Sequence, residues 1–182
     1  MGAKTRGFAN LITATGTLSG WSVDSGNLLP ADAAKGIYLG VNSATAANLM
    51  DDFEEGTFDC SLVAGGATTP SQTQQGYYVK MGKCVMVHGQ TTVNASSSGG
   101  VNLRFDLPFA VVGSYRGGIA VGLNQPLSIS NHSGAYLSLV PELGSVACYV
   151  LSHAQGGNHT HLTFNDVGTG IFSFGGTYYT SA

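Results

Sequence analysis

From Phe58 to the C-terminus the chain alternates apolar and polar residues in short runs, and this period most restricts its fold. In residues 101–107, Val, Leu, Phe and Leu occupy one set of alternate positions, while Asn, Arg and Asp occupy the other. A period of two residues is that of a β-strand with one buried face, whereas an amphipathic helix repeats every 3.6 residues. No long stretch has a helical period, so the sequence predicts an all-β fold.

Turn residues separate the predicted strands about every 8–12 residues, which is typical of antiparallel sandwiches and barrels. A hairpin is predicted from strands at 77–81 and 84–93, joined by Gly82 and Lys83. Further strands are predicted at 117–123, 135–140, 145–152, 160–164 and 171–179. We therefore predict an antiparallel β-sandwich head, jelly-roll-like, over residues 51–182.

Residues 1–50 have a different composition, because they are small, polar and interrupted by Gly and Pro. Only residues 36–41 have the pattern of a short strand. Such a segment cannot bury a core alone. We predict an extended N-terminal arm over residues 1–50 that attaches the head to a neighbouring subunit or a larger assembly.

Charged residues make up only 9% of the chain, against about 25% in an average soluble domain. Such a surface is easier to keep in solution when copies of the chain cover one another, which favours a homo-oligomer. The formal net charge of −3 and the scattered cations argue against nucleic acid as a partner. No apolar run approaches the ~20 residues that cross a bilayer, so we expect no membrane insertion.

The three cysteines, Cys60, Cys84 and Cys148, have no CxxC spacing. A disulfide framework or a zinc site is therefore not indicated, and we expect buried free thiols. This use of cysteine indicates synthesis in a reducing cytoplasm.

An acidic run lies where the arm meets the predicted head. Its members are Asp51, Asp52, Phe53, Glu54, Glu55 and Phe58. The carboxylates are oxygen ligands suited to Ca²⁺, but the EF-hand spacing is absent. The interpretation that we favour is structural: the two Phe side chains insert into the sandwich, and the carboxylates cap backbone N–H groups or meet cations across a subunit boundary.

His159 and His161 would share one face of a strand. Three such pairs around a threefold axis would offer six imidazoles to a transition metal. We favour the interpretation that both residues are exposed polar strand positions, so we predict no metal and no other cofactor. If a metal were bound, His159 and His161 would be the candidate ligands. His88, His132 and His153 are scattered.

Catalytic motifs are absent from the sequence. There is no G-x-S-x-G elbow, and residues 168–173 fail as a dinucleotide fingerprint because Ser173 replaces the last glycine. We predict that the chain is not an enzyme. A shallow sugar site is an alternative role for surface tyrosines and loops, namely Tyr115, Tyr136, Tyr149, Tyr178 and Tyr179 with residues 94–100, 124–134 and 154–158.

Five segments of the chain are similar to parts of one recurring sequence signature. Residues 35–40 (KGIYLG) and 48–58 (NLMDDFEEGTF) are similar to "GIYLG…LDDYEEGTWTP", and 75–87 are similar to "G-x-Y-x-K-I-G-N-x-V-x-V". The chain thereby resembles tail-fibre-like and other surface proteins of tailed bacteriophages. Residues 107–109 (LPF) and 174–178 (FGGTY) continue the match, which covers about residues 35–182. The chain departs from the pattern at Phe53 and Phe58, and Asp59-Cys60 replaces Thr-Pro.

The resemblance implies a virion structural protein, usually a homotrimer with a β-sandwich head. Two roles follow from it. The first is an adhesive fibre or fibre tip that meets host-surface polysaccharide. The alternative is a trimeric capsid decoration, or cement, protein that docks on the phage head and stabilises it. In both roles the N-terminal arm would bind other virion proteins, and the protein would be part of the virion.

Overall fold

The computed structural model describes eleven stretches of the chain. They are residues 21–24, 27–30, 35–40, 42–44, 49–64, 67–69, 74–93, 101–114, 116–125, 136–153 and 159–181. By its internal contacts the chain divides into two units, Met1–Asp52 and Phe53–Ala182. The predicted functional boundary between arm and head stays a prediction.

The described residues of the first unit form two short antiparallel pairs. Strand β1 (Trp21–Asp24) pairs with β2 (Asn27–Pro30), and β3 (Ile37–Tyr38) pairs with β4 (Leu49–Met50). The strand predicted at 36–41 is therefore shorter than expected. Hairpin pairing at Trp21–Pro30 was not predicted, because Gly and Pro nearby obscured the pattern.

Gly36 lies directly against the partner strand of this small sheet. A Cβ built on Gly36 would stand 1.9 Å from the backbone oxygen of Met50 and 2.8 Å from Cα of Asp51. Backbone atoms cannot move aside as a flexible side chain can, so only glycine fits. The first segment of the phage-like signature therefore contains a packing position.

In the second unit, the described residues form an antiparallel sheet of eleven strands. The strands are β5 (Phe53–Asp59), β6 (Leu62–Ala64), β7 (Ala67–Thr69), β8 (Gln75–Met81), β9 (Cys84–Val93), β10 (Arg104–Asp106), β11 (Gly118–Gln125), β12 (Tyr136–Pro141), β13 (Ala147–His153), β14 (His159–His161) and β15 (Gly170–Tyr179). The hydrogen-bonded order is β5-β8-β9-β15-β11-β12-β13-β10-β6-β7, and β14 pairs with β13.

The sheet curls so that distant strands along this path face each other. Phe105 of β10 stacks on Phe174 of β15, with ring centroids 4.7 Å apart. The Cys60 thiol, which precedes β6, lies 3.6 Å from the backbone oxygen of Gln90 in β9. The described residues contain no α-helix, so the all-β prediction is confirmed. The paired strands belong to one curled sheet rather than to two separate sheets, and the sandwich stays a prediction.

A cross-strand row of four residues organises the first half of the sheet. Phe58 lies opposite Gly76, Gly76 opposite Gly89, and Gly89 opposite Phe174. A Cβ on Gly76 would stand 2.5 Å from the Phe58 ring, and one on Gly89 would stand 2.7 Å from the Phe174 ring. The two rings therefore lie over glycines and meet edge to face, 6.5 Å apart.

The last strand is tied to the segment after β10 by a buried tyrosine. The Tyr178 side chain is 0% exposed. Its hydroxyl donates to the backbone oxygen of Phe109 and accepts from the backbone N–H of the same residue, both at 3.1 Å. Burial raises the pKa of the Tyr178 phenol above its usual value. The phenol therefore stays neutral and serves a structural purpose.

Most strand predictions are confirmed, and the exceptions have local causes. The predicted hairpin is formed by β8 and β9, with Gly82 at a positive φ of 57°. Leu103, Phe105 and Leu107 are buried as the alternation predicted, but Val101 is 51% exposed because it precedes the strand. The strand predicted at 160–164 ends at His161, since Phe164–Asp166 forms a 3-10 turn in which the Asp166 carboxylate accepts from Thr163.

We predict that Gly89→Ala lowers the free energy of unfolding by about 1–3 kcal/mol, the usual cost of overpacking. The added methyl would meet the Phe174 ring at 2.7 Å. That ring cannot swing away, because it is buried and stacked on Phe105. Urea unfolding followed by circular dichroism measures the change.

Gly175→Ala is the matched control on the same pair of strands. Its Cβ would meet its nearest atoms at 3.7–3.8 Å, which is ordinary contact. This variant should therefore unfold at or above the wild-type urea concentration. An equal decrease in the free energy of unfolding in both variants would show that the row of rings and glycines does not determine the packing.

Candidate functional site

Three consecutive strands bring a group of aromatic and imidazole side chains to one face of the sheet. In β13, His153 lies opposite Tyr136 of β12 on one side and opposite His159 of β14 on the other. Two residues along the strand, Leu151 lies opposite His161. The register of β13 and β14 therefore places His153 beside His159 and His161, which follow it by six and eight residues.

The rings of this group contact one another in sequence. Tyr136 and His153 stack nearly parallel, with centroids 4.9 Å apart and planes 6° apart. His153 and His159 are 6.0 Å apart, and His159 and His161 are 6.5 Å apart. Tyr149 meets His161 edge to face at 5.0 Å. The result is a continuous surface of flat rings.

His153, His159, His161 and Tyr149 of this group line a cleft of about 390 Å³, and Tyr136 stacks on His153 outside its lining. Leu151 lines it and is buried, and Arg116 and Glu142 contribute opposite charges. The Arg116 guanidinium donates to the backbone oxygen of Pro141 at 3.0 Å, which holds it at the cleft. The cleft volume falls at the lower end of the range of about 300–1,000 Å³ that is usual for small-molecule sites.

His161 is the most perturbed group of the cleft. Its Nδ1 is buried and has no hydrogen-bond partner among the described residues. Burial lowers the pKa of His161, the neighbouring His159 lowers it further, and Glu142 opposes the change. The imidazole is consequently neutral near pH 7. By contrast, His153 is held by a hydrogen bond between its Nε2 and the Ser138 hydroxyl at 2.6 Å.

His159 and His161 share a face, as the sequence predicted, but only His159 is exposed. The interpretation of both as exposed polar positions is therefore wrong for His161, which is half-buried against Tyr149. Within the described stretches, no group of three or more His, Cys, Asp or Glu side chains is arranged to hold a metal ion. A metal shared between copies of the chain stays untested.

The acidic run is distributed between the two units. Asp51 and Asp52 belong to the first unit, and Asp51 is exposed. Phe53, Glu54 and Glu55 begin β5, and their side chains are exposed. The Tyr78 hydroxyl donates a hydrogen bond to the Glu54 carboxylate, which raises the pKa of Tyr78. This is one carboxylate contact of the run, and the run's junction role stays a prediction.

The two phenylalanines of the run differ in burial. Phe58 packs against the core and meets Phe174, as predicted. Phe53 was expected to insert in the same way, but its side chain is 55% exposed. The reason is the strand period: Phe53 and Phe58 are five residues apart, so they point to opposite faces of β5.

A second cleft, of about 420 Å³, lies beside β5, where the sequence indicated none. Glu55, Thr57, Tyr77 and His88 are among its lining residues. Tyr77 and His88 stack at 5.3 Å, which repeats the tyrosine–histidine pairing of the first cleft. This second cleft is more open to solvent, and among its described lining residues only Glu55 carries a full charge.

The predicted surface tyrosines separate into three groups. Tyr136 and Tyr179 are exposed, and Tyr149 lines the first cleft. Tyr178 was wrongly placed at the surface, because its strand position faces the core. Tyr115 and the loops 94–100 and 154–158 lie outside the described residues, as does 126–134 of the third loop.

Sequence reasoning did not identify Arg116 and Glu142 as cleft residues. Neither belongs to a motif, and each lies just outside a strand end. Their positions gave a weak indication, because binding residues often lie in the loops at the ends of strands. Their approach depends on the pairing of β12 with its neighbours.

The expectation of buried thiols is confirmed for Cys60 and Cys148, whereas Cys84 is half-buried. Burial, with a smaller contribution from Asp59, raises the pKa of Cys60 to about 11, and burial raises the pKa of Cys148 as well. Both thiols therefore stay protonated and unreactive near pH 7. All three cysteines are free.

In the described part of the chain, no helix combines the length and apolar character needed to span a bilayer. Comparison with known proteins found no matching family model and no matching curated sequence.

We predict that wild-type protein loses stability between pH 7 and pH 5 partly through His161. Its folded pKa is below the ordinary 6.5, so the unfolded state binds more protons in this window and unfolding becomes easier as the pH falls. The contribution of neutral His161 to the free energy of unfolding is fully present above pH 6.5 and is lost as the pH falls below that value. His161→Gln should flatten this pH dependence, measured as urea midpoints at pH 7.5, 6.5 and 5.5.

His88→Gln is the matched control, since it removes an exposed imidazole from another strand. A similar flattening in both variants would contradict the assignment of the effect to the buried His161.

Proposed function

We propose that this chain is a structural protein of a bacteriophage virion, a homotrimer with a β-sandwich head and an attachment arm, and that the head is adhesive. The observation that carries the proposal is an uncovered apolar face on the head. This outer face is formed by alternate residues of β5, β8, β9 and β15: Phe53, Glu55 and Thr57; Tyr77, Val79 and Met81; Cys84, Met86 and His88; Thr177 and Tyr179.

The register arranges the outer face in rows across four strands. One row joins Phe53, Met81, Cys84 and Tyr179. Within the single chain, Phe53, Met81 and Tyr179 are each 50–55% exposed. Large side chains of this kind on one sheet face mark an interaction site in a soluble protein.

Further copies of this chain are the occupant that fits the outer face. Its only full charge is Glu55, so it offers little to an oppositely charged partner. A chain with 9% charged residues also needs its apolar surfaces covered. Aromatic and Met side chains with few charges are the composition of the buried centre of oligomer interfaces. The phage-like signature supports a threefold arrangement.

The sandwich is supported by the packing between remote parts of the curled sheet. The contact between Phe105 and Phe174 joins β10 to β15, which are not neighbours in the hydrogen-bonded order. Side chains from two such layers interdigitate in a sandwich core.

The arm is supported by the surface of the first unit. Ile37, Tyr38 and Leu39 are exposed one after another, and Met50 opposite Ile37 is exposed as well. Consecutive exposed apolar residues are uncommon unless a partner covers them. We propose that another virion protein covers this hairpin.

Between the two roles, the adhesive one is favoured by the cleft of β12, β13 and β14. A protein that only cements a capsid has no evident need for a cleft lined by three imidazoles, two of them in contact with tyrosine rings. A receptor-binding head needs such a site.

The trimer is tested by mass and by one substitution. Sedimentation equilibrium at micromolar concentration should give three times the chain mass of 18.6 kDa. Met81→Lys places a charge in the row of exposed side chains on the outer face. The free-energy cost of burying that charge would exceed what a single interface contact contributes. This variant should dissociate to single folded chains.

Val101→Lys is the control, because Val101 is exposed to the same degree as Met81 but lies outside the outer face. It should remain trimeric. A single-chain mass for the wild-type protein, or dissociation of both variants, would contradict the proposed interface.

The adhesive role is tested against capsid decoration with the same purified protein. We expect it to bind host cells and to slow adsorption of the phage, whereas it should not bind empty capsids that lack it. Deleting residues 1–52 should preserve binding to cells and abolish incorporation into particles. Stoichiometric binding to capsids without binding to cells would overturn the adhesive role in favour of decoration.

A further inference from the structure

We propose that the cleft of β12, β13 and β14 is a saccharide-binding site that takes a neutral, hydroxyl-rich sugar. This inference rests on the proposed adhesive function and deepens it by naming the site and the class of ligand. The strands of the cleft contribute nothing to the outer face, so assembly through that face does not require these strands.

The flat rings suit the apolar part of a sugar. One face of a pyranose carries C–H groups, which pack against aromatic rings, while its edge carries hydroxyls. Tyr136 stacks in parallel on His153 and so holds this cleft-lining ring in place, and Tyr149 stands perpendicular to His161. These rings offer surfaces in two orientations, and Leu151 between them excludes water.

The polar groups suit the hydroxyl edge. Each hydroxyl of a sugar donates one hydrogen bond and accepts others, so its site needs both kinds of partner. The buried Nδ1 of His161 has no hydrogen-bond partner among the described residues. A buried polar atom without a hydrogen bond costs free energy, and a sugar hydroxyl would remove that cost. Glu142 supplies acceptors and Arg116 supplies donors at the same cleft.

Other small ligands fit less well. A phosphate or sulfate group would meet a single guanidinium, which already donates to the Pro141 carbonyl, and would be repelled by Glu142. A metal ion lacks a suitable group of ligands in the described stretches. A neutral polyol requires neither a basic cluster nor a metal, and it uses every type of side chain present.

The experiment is a binding titration of the full-length protein followed by ¹H–¹³C NMR of the histidine rings. The probes are three neutral oligosaccharides (maltotriose, lactose and chitotriose) and, as a charged comparison, sialyllactose. We expect at least one neutral probe to shift the ring signals of His159 and His161 in a saturable way. Binding of that probe should weaken at least tenfold in Tyr149→Ala and in His161→Phe.

Two variants protect the test from loss of folding. His159→Ala removes an exposed ring and leaves the core untouched, so it should weaken binding while the urea midpoint stays unchanged. Val101→Ala is the control, because it removes an exposed side chain that belongs to neither the cleft nor the outer face. It should bind as the wild type does.

The outcomes separate the two proposals. Equal weakening by Val101→Ala and by His159→Ala would show that the effect is not specific to the cleft and would overturn this inference alone. Binding of the protein to host cells that is unaffected by His159→Ala, Tyr149→Ala and His161→Phe would do the same. If no neutral probe binds while host cells are still bound, the neutral-sugar site is overturned and adhesion stands. If the protein binds neither the probes nor host cells, the adhesive function and the neutral-sugar site are both overturned.

Discussion

The fold depends on aromatic rings that lie over glycines in a row of four paired residues. Phe58 and Phe174 cover Gly76 and Gly89, and any side chain larger than hydrogen at the two glycines would occupy the space of a ring. Burying a ring of this size contributes about 1.5–3 kcal/mol. A cross-strand aromatic also compensates for the weak pairing of glycine in a strand. Phe105 then stacks on Phe174 from β10, which brings the far part of the sheet across the core. A single row thus sets strand register and curvature together.

The segments that resemble the phage signature are largely those that build this packing. Phe58 and Gly76 come from two of them, and Phe174 comes from a third. The LPF segment supplies Phe109, whose ring meets Tyr78 edge to face and whose backbone is held by Tyr178. Phe109 and Tyr178 are 69 residues apart in the chain, and Phe58 and Phe174 are farther apart still, yet all four meet around one core. In this chain, the segments that resemble the signature are therefore explained as packing positions.

The head carries two surfaces of different character on different strands. The outer face of β5, β8, β9 and β15 is apolar and nearly uncharged, which suits permanent contact with copies of the chain. The cleft of β12, β13 and β14 mixes rings with hydrogen-bonding groups, which suits a reversible ligand. In the proposed trimer the first surface would be buried once at assembly. The second would stay available and would be present three times, so weak individual binding would gain from multivalency.

The sequence by itself determined the strand content, the β8–β9 hairpin and the alternation that buries Leu103, Phe105 and Leu107, because these depend on local period and turn chemistry. It also identified His159 and His161 as sharing a face. Tertiary structure alone decided that His153 joins them, that Arg116 and Glu142 complete the cleft, and that Phe53 is exposed while Tyr178 is buried. Register between strands and the curl of the sheet decide which faces meet, and both arise from contacts between residues far apart in the chain, which no local pattern records.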